Sequence, residues 1–218
     1  MTQPARKIDD TTEPIVLPDL LPLCHEALDA ADRLKAAAQA GVDALVRADG
    51  PGGGKVNPAA LEAEQFAAHG YAWLSTYVEA MRQTLGWAER LQAEGRLGEL
   101  ESLILQAGFG EYLWQMSGGI PLSQGEVVRP QDMNIGAEDT HAFLTAAVQK
   151  LTGTGNSNTV RMRIAELVGE GDFGAVALGD EMLEMIRDQF RRFAEDKVVP
   201  HAHGWHTRDE LIPLEVIE

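Results

Sequence analysis

Residues 66–91 read FAAHGYAWLSTYVEAMRQTLGWAERL, and the spacing of their apolar side chains predicts a long amphipathic helix. The apolar positions recur at steps of three and four, which places them on one side of the helix. They are Phe66, Trp73, Tyr77, Met81, Leu85, Ala88 and Leu91. Asn57 followed by Pro58 is typical of a helix start, and Gly95 of a helix end. The sequence therefore predicts one helix from about residue 58 to 94.

Two features of this helix need a further explanation. Gly70 and Gly86 lie inside it, and each costs about 1 kcal/mol relative to alanine. We expect the close approach of a neighbouring helix to offset that cost. The aromatic residues of the helix could line a cofactor pocket. Stripes of this kind more often form part of the core or an oligomer interface. His69 lies near the apolar stripe and is interpreted as a core histidine with a hydrogen-bond partner.

Flanking segments predict further helices and no strand. Residues 1–18 carry three prolines and predict a flexible arm. The following helix ends at the glycine-rich run DGPGGGKVN (residues 49–57). Its apolar side is Cys24, Leu28, Ala31, Leu34, Ala38, Val42 and Leu45. A third helix is expected over 97–116, with an inner side of Leu100, Leu103, Ala107 and Leu113.

The second half of the chain is predicted to contain shorter helices. Residues 117–137 read as an irregular connection, and connections of that length are usually functional or disordered. Short helices are expected over 138–152 and 159–168, with a linker over 171–179. These patterns predict an all-α fold: a bundle-like extension domain over 19–170 and a second helical unit over 180–218.

Composition excludes several classes of partner and environment. The 34 acidic and 18 basic residues give a formal charge of −16, which disfavours nucleic acid and anionic membranes as partners. A single cysteine cannot form an internal disulfide and fits a reducing compartment. The first residues do not resemble a secretory signal, and no apolar run reaches the ~18 residues of a membrane span. We expect a cytoplasmic protein.

Most candidate catalytic motifs are better explained structurally. GTGNSN (residues 153–158) lacks the third glycine and the preceding strand of a dinucleotide fingerprint, so it is interpreted as a polar loop between helices. Cys24 and His25 are adjacent, and adjacent helical side chains do not face each other. Cys24 is therefore interpreted as a small buried thiol.

Polar side chains elsewhere leave their roles open. Two acidic pairs, Glu62 with Glu64 and Glu138 with Asp139, suit a solvated face or a helix N-terminus rather than acid–base catalysis. The connection over 117–137 either contacts a ligand or packs as an ordinary structured loop. The sequence does not distinguish these two interpretations. Its candidate ligand-contacting residues are Ser123, Gln124, Glu126 and Arg129.

Three histidines lie close together in VVPHAHGWH (residues 198–206). If a helix continues through Pro200, each residue advances about 100°, so His201 shares a side with Trp205 and His203 points away. His203 and His206 share a flank, but two nitrogens make an incomplete zinc site. No metal site is predicted.

The final forty residues predict a helix and the start of another. Asp180 is expected to cap a helix whose inner side carries apolar residues at helical spacing. These residues are Leu183, Ile186, Phe190, Ala194 and Val198. The last segment, DELIPLEVIE (residues 209–218), begins a new amphipathic element that is too short to be stable alone. We therefore expect the chain to be the front part of a longer protein.

The run FRRFAEDKVVPHAHGWHTRDELIPLEVIE (residues 190–218) resembles the opening of the acyl-CoA dehydrogenase core. The resemblance depends on Phe193-Ala194-Glu195, Pro200, Ala202 and Trp205, followed by the start of a second helix. The stretch from Trp87 to Pro130 resembles the helical extension of a family member that has a long extra domain ahead of this core.

Membership of this family implies an enzyme that oxidises the α,β bond of an acyl-CoA. A glutamate takes the α-proton, FAD accepts the β-hydride, and electron-transferring flavoprotein reoxidises the flavin. A homo-oligomer is implied as well. The flavin contacts and that glutamate are expected beyond residue 218, in the remainder of the polypeptide. No residue here is predicted to be catalytic or cofactor-binding, and the isolated chain is expected to be inactive. A different class of protein stays open: a helical adaptor that binds through its aromatic stripe.

Overall fold

The computed structural model describes residues 14–47, 49, 53–176 and 179–217. They belong to two compact units, residues 1–175 (unit 1) and 176–218 (unit 2). Helix predominates in both, so the predicted all-α class is confirmed. Among the described residues, no helix is both long enough and apolar enough to cross a membrane.

Unit 1 contains seven α-helices and a small hairpin within its described part. The helices are α1 Leu20–Val46, α2 Pro58–Ala63, α3 Gln65–Ala93, α4 Glu99–Gly118, α5 Ala137–Phe143, α6 Ala146–Lys150 and α7 Asn158–Gly169. Strands β1 Ile120–Pro121 and β2 Val127–Val128 form the hairpin, a 3₁₀ turn spans Pro130–Met133, and a π turn spans Leu151–Gly155.

The core of unit 1 lies between α1, α3 and α4. Seven apolar residues of α1 were predicted on one side; six are buried, and only Leu45, at the end of the stripe, is half-buried. Leu74 and Met81 of α3 and Phe109 of α4 are among the fully buried side chains they meet. Burial of such side chains contributes about 1.5–3 kcal/mol each, which makes this the main stabilising region.

The predicted helix over residues 58–94 is two helices. Asn57 caps α2 as expected, because its Oδ1 accepts hydrogen bonds from the backbone N–H groups of Ala59 (3.0 Å) and Ala60 (3.3 Å). The helix is interrupted at Glu64, whose backbone leaves the helical region. No residue of α2 is buried, so core packing does not hold it in line with α3. Gly95 ends α3 with a φ of 67°, as predicted.

The close approach expected at two glycines of α3 is found at one of them. A methyl group on Gly70 would lie 2.5 Å from a side-chain carbon of Val128, so the neighbour is strand β2 rather than a helix. Near Gly86 the only such neighbour is the flexible Arg90 side chain, at 3.5 Å. The prediction of a packed helix at Gly86 is therefore wrong.

The connection over residues 117–137 contains an antiparallel hairpin that the sequence analysis missed. Ile120 pairs with Val128 and Pro121 with Val127. Two residues per strand are too few to show the alternation that marks a strand in a sequence. Ile120 and Val128 are buried, which fixes the hairpin to the helices beneath it.

The predicted helix over residues 138–152 is in fact two short helices followed by a π turn. The hydroxyl of Thr145 caps α6 by accepting a hydrogen bond from the N–H of Val148 (3.3 Å). The first residues of GTGNSN belong to the π turn rather than to a loop. A methyl group on Gly155 would lie 2.7 Å from the carbonyl oxygen of Gln106, so the turn packs directly on α4.

The predicted arm over residues 1–18 is held in place at its end. Residues 1–13 lie outside the described part of the chain. Leu17 is buried, and its N–H donates to Oε1 of Gln106 at 2.9 Å. Nε2 of Gln106 donates to the carbonyl oxygen of Ile15 at 2.9 Å. The prediction of flexibility is therefore wrong from about residue 15 onward.

Unit 2 consists of α8 Glu181–Phe193, a π turn Ala194–Val198, α9 Val199–Thr207 and α10 Leu214–Ile217. Asp180 caps α8 as predicted, since its Oδ1 accepts from the N–H groups of Met182 (2.8 Å) and Leu183 (3.1 Å). Helical structure continues through Pro200, which is the condition under which the histidine positions were compared. None of the described residues of unit 2 is buried.

Candidate functional site

The most distinctive surface of unit 2 is the apolar side of α8, which we call the α8 face. Its residues recur at helical spacing and are all exposed to between 42% and 70% of their surface. They are Met182, Leu183, Met185, Ile186, Phe190 and Phe193. The sequence predicted an inner stripe here, and the prediction of burial is wrong because no described part of unit 2 covers it.

The opposite side of α8 is strongly charged. Asp188 accepts a hydrogen bond of 2.9 Å from Arg187, and this bond, with the nearby Arg191 and Arg192 charges, holds the pKa of Asp188 below its ordinary value despite some desolvation. A helix with one mostly apolar side and one charged side is typical of an element that packs against a core. The α8 face therefore has the pattern of a surface that packs against another apolar surface.

The clustered histidines do not form a metal site in the described part of the chain, where no three His, Cys, Asp or Glu side chains gather around one point. His201 lies beside Trp205, with ring centroids 5.6 Å apart, as its helical phase predicted. His203 is exposed, and its backbone carbonyl accepts from the Thr207 hydroxyl at 2.9 Å.

The aromatic stripe of α3 divides into a buried and an exposed part. Met81 and Leu85 are buried as predicted, whereas Phe66 is 41% exposed and Trp73 is 36% exposed. His69 is exposed as well, and its Nε2 accepts from the indole N–H of Trp73 at 3.0 Å. The interpretation of His69 as a core histidine is therefore wrong. The buried side at the start of α3 consists of Ala67, Gly70 and Leu74, and Phe66, His69 and Trp73 lie beside it at the surface.

A chain of polar side chains links three elements of unit 1. The Tyr77 hydroxyl donates to Oε1 of Gln115 (2.6 Å), and the Gln115 amide donates to Oε1 of Glu111 (2.6 Å). The other carboxylate oxygen of Glu111 accepts from the amide of Asn156 (2.7 Å). Burial, followed by the nearness of Tyr112 and Glu111, raises the pKa of Tyr77. A neutral tyrosine donor stabilises the junction of α3, α4 and the π turn.

Glu101 joins the start of α4 to the end of unit 1. Its carboxylate is only 7% exposed, and one oxygen accepts from the N–H of Gly98 at 3.1 Å. The other oxygen accepts from the N–H of Ala175 at 2.6 Å, while the Ala175 carbonyl accepts from the indole of Trp87 at 3.0 Å. The segment predicted as a linker over 171–179 is thus fixed at Ala175. The sequence analysis missed this role, although Gly98 followed by Glu101 shows half of a capping box.

Cys24 and His25 have separate environments, as their adjacency predicted. Cys24 is fully buried, and burial raises the pKa of its thiol to about 12. A thiol with that pKa is neither a nucleophile nor a metal ligand at neutral pH. His25 points outward and contacts Glu89 at 2.6 Å. The prediction of a small buried thiol is confirmed.

The polar residues of the hairpin loop do not converge on a ligand cavity. The Ser123 hydroxyl bonds Oε2 of Glu126 at 3.2 Å, and Arg129 bonds the carbonyl of Val127 at 3.4 Å, so each closes the loop locally. Gln124 is exposed beside them. These contacts favour the interpretation of a structured connection.

The acidic pairs lie where helix electrostatics place them. Glu138 and Asp139 occupy the first turn of α5, where negative charge stabilises the helix dipole. Glu62 is exposed and accepts from Gln65 at 2.8 Å, and Glu64 is half-buried at the break between α2 and α3. Neither pair has the partners of an acid–base site.

Two grooves on the described surface differ from the kind of pocket that a flavin requires. An isoalloxazine ring needs an enclosed, mostly apolar pocket with a few convergent polar groups. The groove beside α5, which His141 and Leu144 line, and the groove beside α2, which Leu61 and Phe66 line, are both open to solvent. We assign no flavin-binding role to any described residue.

Comparison with known proteins identifies a relative along almost the whole chain. The chain is 52% identical over 212 residues to (2S)-methylsuccinyl-CoA dehydrogenase of Cereibacter sphaeroides, and the match covers 95% of this chain. It covers 37% of that relative, so the chain spans little more than a third of the relative's length. No family model matches the sequence. The match agrees with the resemblance seen in residues 87–130 and 190–218, and the chain is similar to part of that dehydrogenase.

Proposed function

We propose that this chain is the front portion of an FAD-dependent (2S)-methylsuccinyl-CoA dehydrogenase. Such an enzyme oxidises the α,β bond of its acyl-CoA to give mesaconyl-CoA, a step of the ethylmalonyl-CoA pathway, and its electrons pass to electron-transferring flavoprotein. The α-proton leaves to a glutamate and the β-hydride to FAD, in a site that excludes water. Identity of 52% along the chain is the observation that supports the proposal most strongly.

The two units have different roles in this proposal. Residues 19–170 form an accessory helical domain, and residues 180–218 open the catalytic core. The α8 face supports the second role, because it exposes Leu183 by 50% and Phe190 by 70%. Exposed apolar side chains in this number favour burial by another part of the protein. In the intact enzyme, the core that follows residue 218 covers this face.

The accessory domain supports the core rather than the chemistry. Its polar side chains are engaged in joining helices, as Glu101 and Glu111 are. It buttresses the core or the homo-oligomer. The isolated chain is therefore inactive, and acyl-CoA and flavin bind elsewhere in the intact, cytoplasmic enzyme.

Steady-state turnover by the full-length protein tests this proposal. We expect rapid oxidation of (2S)-methylsuccinyl-CoA with an artificial electron acceptor, slow oxidation of butyryl-CoA, and no oxidation by residues 1–218 alone. If the full-length protein binds flavin but prefers butyryl-CoA, the proposed substrate is wrong and the proposed enzyme class still holds. A full-length protein with no dehydrogenase activity would favour the alternative of a helical adaptor.

A further inference from the structure

Unit 1 carries an apolar groove beside α2 that is not explained by packing within the domain. Leu61 of α2 and Phe66 of α3 line it and are 40% and 41% exposed. His69 and Gln65 of α3 and Glu126 of the hairpin loop also line it. Trp73 extends the surface by two helical turns from Phe66 and is 36% exposed.

The aromatic part of this groove is held rigidly. The indole N–H of Trp73 donates to His69, and the ring of Trp73 meets the buried ring of Tyr77 edge-on, with centroids 6.2 Å apart. Close contact between Gly70 and Val128 fixes the hairpin against α3. A preformed surface loses little conformational entropy when a partner binds, which favours a docking role.

The charge around the groove is predominantly negative. No lysine or arginine occurs between Lys55 and Arg82, whereas Glu62, Glu64 and Glu79 do. The hairpin adds Glu126, and the exposed Arg129, which directly follows strand β2, is the only basic residue among residues 120–129. Because opposite charge steers a partner and like charge repels it, the groove favours a cationic occupant. A second copy of this chain, with its net charge of −16, would bring like charge to the surface.

We propose that this groove, independently of the dehydrogenase function, binds a cationic amphipathic segment of a partner protein. Apolar side chains of the segment pack between Leu61 and Phe66, as in the helix-in-groove mode of recognition. A lysine or arginine of the segment lies beside the Glu126 carboxylate. A second basic side chain stacks on the exposed face of Trp73, where a cation–π contact adds to the attraction.

Fluorescence anisotropy with a short labelled peptide of leucine, alanine, lysine and arginine tests the proposal. The peptide carries its leucines at helical spacing, and a scrambled peptide of identical composition is the control. At physiological ionic strength, we expect saturable binding of the patterned peptide by the full chain. Glu126→Lys and Phe66→Ser are each expected to weaken binding at least about fivefold, as central interface residues do.

Matched variants distinguish binding of the peptide in the groove from its general electrostatic attraction to an acidic protein. Glu138→Lys makes the same charge change on α5, and Met162→Ser removes an apolar side chain on α7 that is 55% exposed. Both should leave the affinity within about twofold, since they lie outside the groove. Equal weakening by Glu138→Lys and Glu126→Lys would overturn the proposal, because net charge alone would then explain binding.

Three other results would also overturn it. Loss of binding in Phe190→Ser but not in Phe66→Ser would place the peptide on the α8 face. Self-association of the chain that Phe66→Ser abolishes would assign the groove to a second copy. Equal affinity for the patterned and scrambled peptides, or no saturable binding of either, would show that the groove does not recognise such a segment.

Discussion

The carboxylate of Glu101 accepts a hydrogen bond of 2.6 Å from the backbone N–H of Ala175, a residue 74 positions further along the chain. The same side chain caps α4 through Gly98. One buried carboxylate therefore fixes both the start of a core helix and the end of unit 1. Hydrogen bonds of this kind, from backbone donors to a charged acceptor, are about twice as strong as neutral ones.

Replacing this side chain is expected to destabilise unit 1. Glu101→Ala leaves the N–H groups of Gly98 and Ala175 without their acceptor, which costs about 2–3 kcal/mol of unfolding free energy. Urea unfolding followed by tryptophan fluorescence measures the change. The control is Glu138→Ala, an exposed carboxylate whose loss should cost less than about 1 kcal/mol. Equal midpoints for Glu101→Ala and wild type would show that the contact contributes nothing.

Two glycines of α4 provide a matched pair for the packing of the π turn. A methyl group on Gly110 would lie 2.7 Å from the carbonyl oxygen of Leu151, whereas one on Gly108 would meet nothing within 4 Å. Gly110→Ala should therefore destabilise the protein by about 1–3 kcal/mol through overpacking. Gly108→Ala should be neutral or stabilising by up to about 1 kcal/mol, because alanine favours helix.

Thermal unfolding of both variants checks this prediction. A midpoint lowered in Gly110→Ala and unchanged or raised in Gly108→Ala agrees with the described contact. Indistinguishable midpoints for the two variants would contradict the close approach of α4 and the π turn.

The ion pair between α1 and α3 predicts a pH dependence. Desolvation disfavours the charge of Asp32, but hydrogen bonds and charge from Arg82 (2.8 Å) and Lys35 outweigh it, so the pKa of Asp32 lies below its ordinary value of 3.8. A lowered folded-state pKa stabilises the protein at pH values above the unfolded pKa of about 3.9. That stability is lost as the pH falls through the folded-state pKa.

Asp32→Asn tests this pH dependence. Because the carboxylate is partly exposed, its loss should cost only about 0.5–1 kcal/mol at pH 7. The difference from wild type should shrink as the pH falls below 3.8, the range over which Asp32 becomes protonated. Urea midpoints measured at neutral and at strongly acidic pH give the comparison. If the difference in stability between Asp32→Asn and wild type grew on acidification, the predicted direction of the Asp32 pKa shift would be wrong.

Helix periodicity and capping chemistry account for the parts of the fold that were predicted from the sequence. Cys24, Leu34 and Met81 recur with the helical period and are buried, and Asn57 and Asp180 cap helices because their short polar side chains reach free backbone N–H groups. These are local rules, and they apply wherever a helix packs on a core. The family signature around Pro200 also predicted correctly what the chain is related to.

Non-local contacts account for what the sequence did not reveal. The hairpin of Ile120 and Val128 is too short for a strand pattern, and its position depends on the missing side chain of Gly70. Glu101 and Gln106 are buried polar residues whose partners lie 74 and 89 positions away. Patterns in a single sequence do not show such pairs. Phe66 is exposed because the buried side at the start of α3 runs through Ala67, Gly70 and Leu74 instead.

The α8 face gives a prediction that compares two lengths of the same polypeptide. Phe190 is 70% exposed here, so Phe190→Ser should change the unfolding free energy of residues 1–218 by less than about 0.5 kcal/mol. In the full-length protein, where we propose that the face is buried, the same change should cost about 3 kcal/mol or more. Arg191→Ser, on the charged side of α8, should be mild in both. Equal small effects of Phe190→Ser would contradict burial of this face.

The visible absorption spectrum of the purified full-length protein, titrated with (2S)-methylsuccinyl-CoA in the absence of oxygen, tests the central claim most directly. The account predicts a yellow protein whose oxidised-flavin band is lost as substrate is added, because the β-hydride of the substrate reduces the flavin. A colourless protein, or a flavin band that the substrate leaves unchanged, would contradict it.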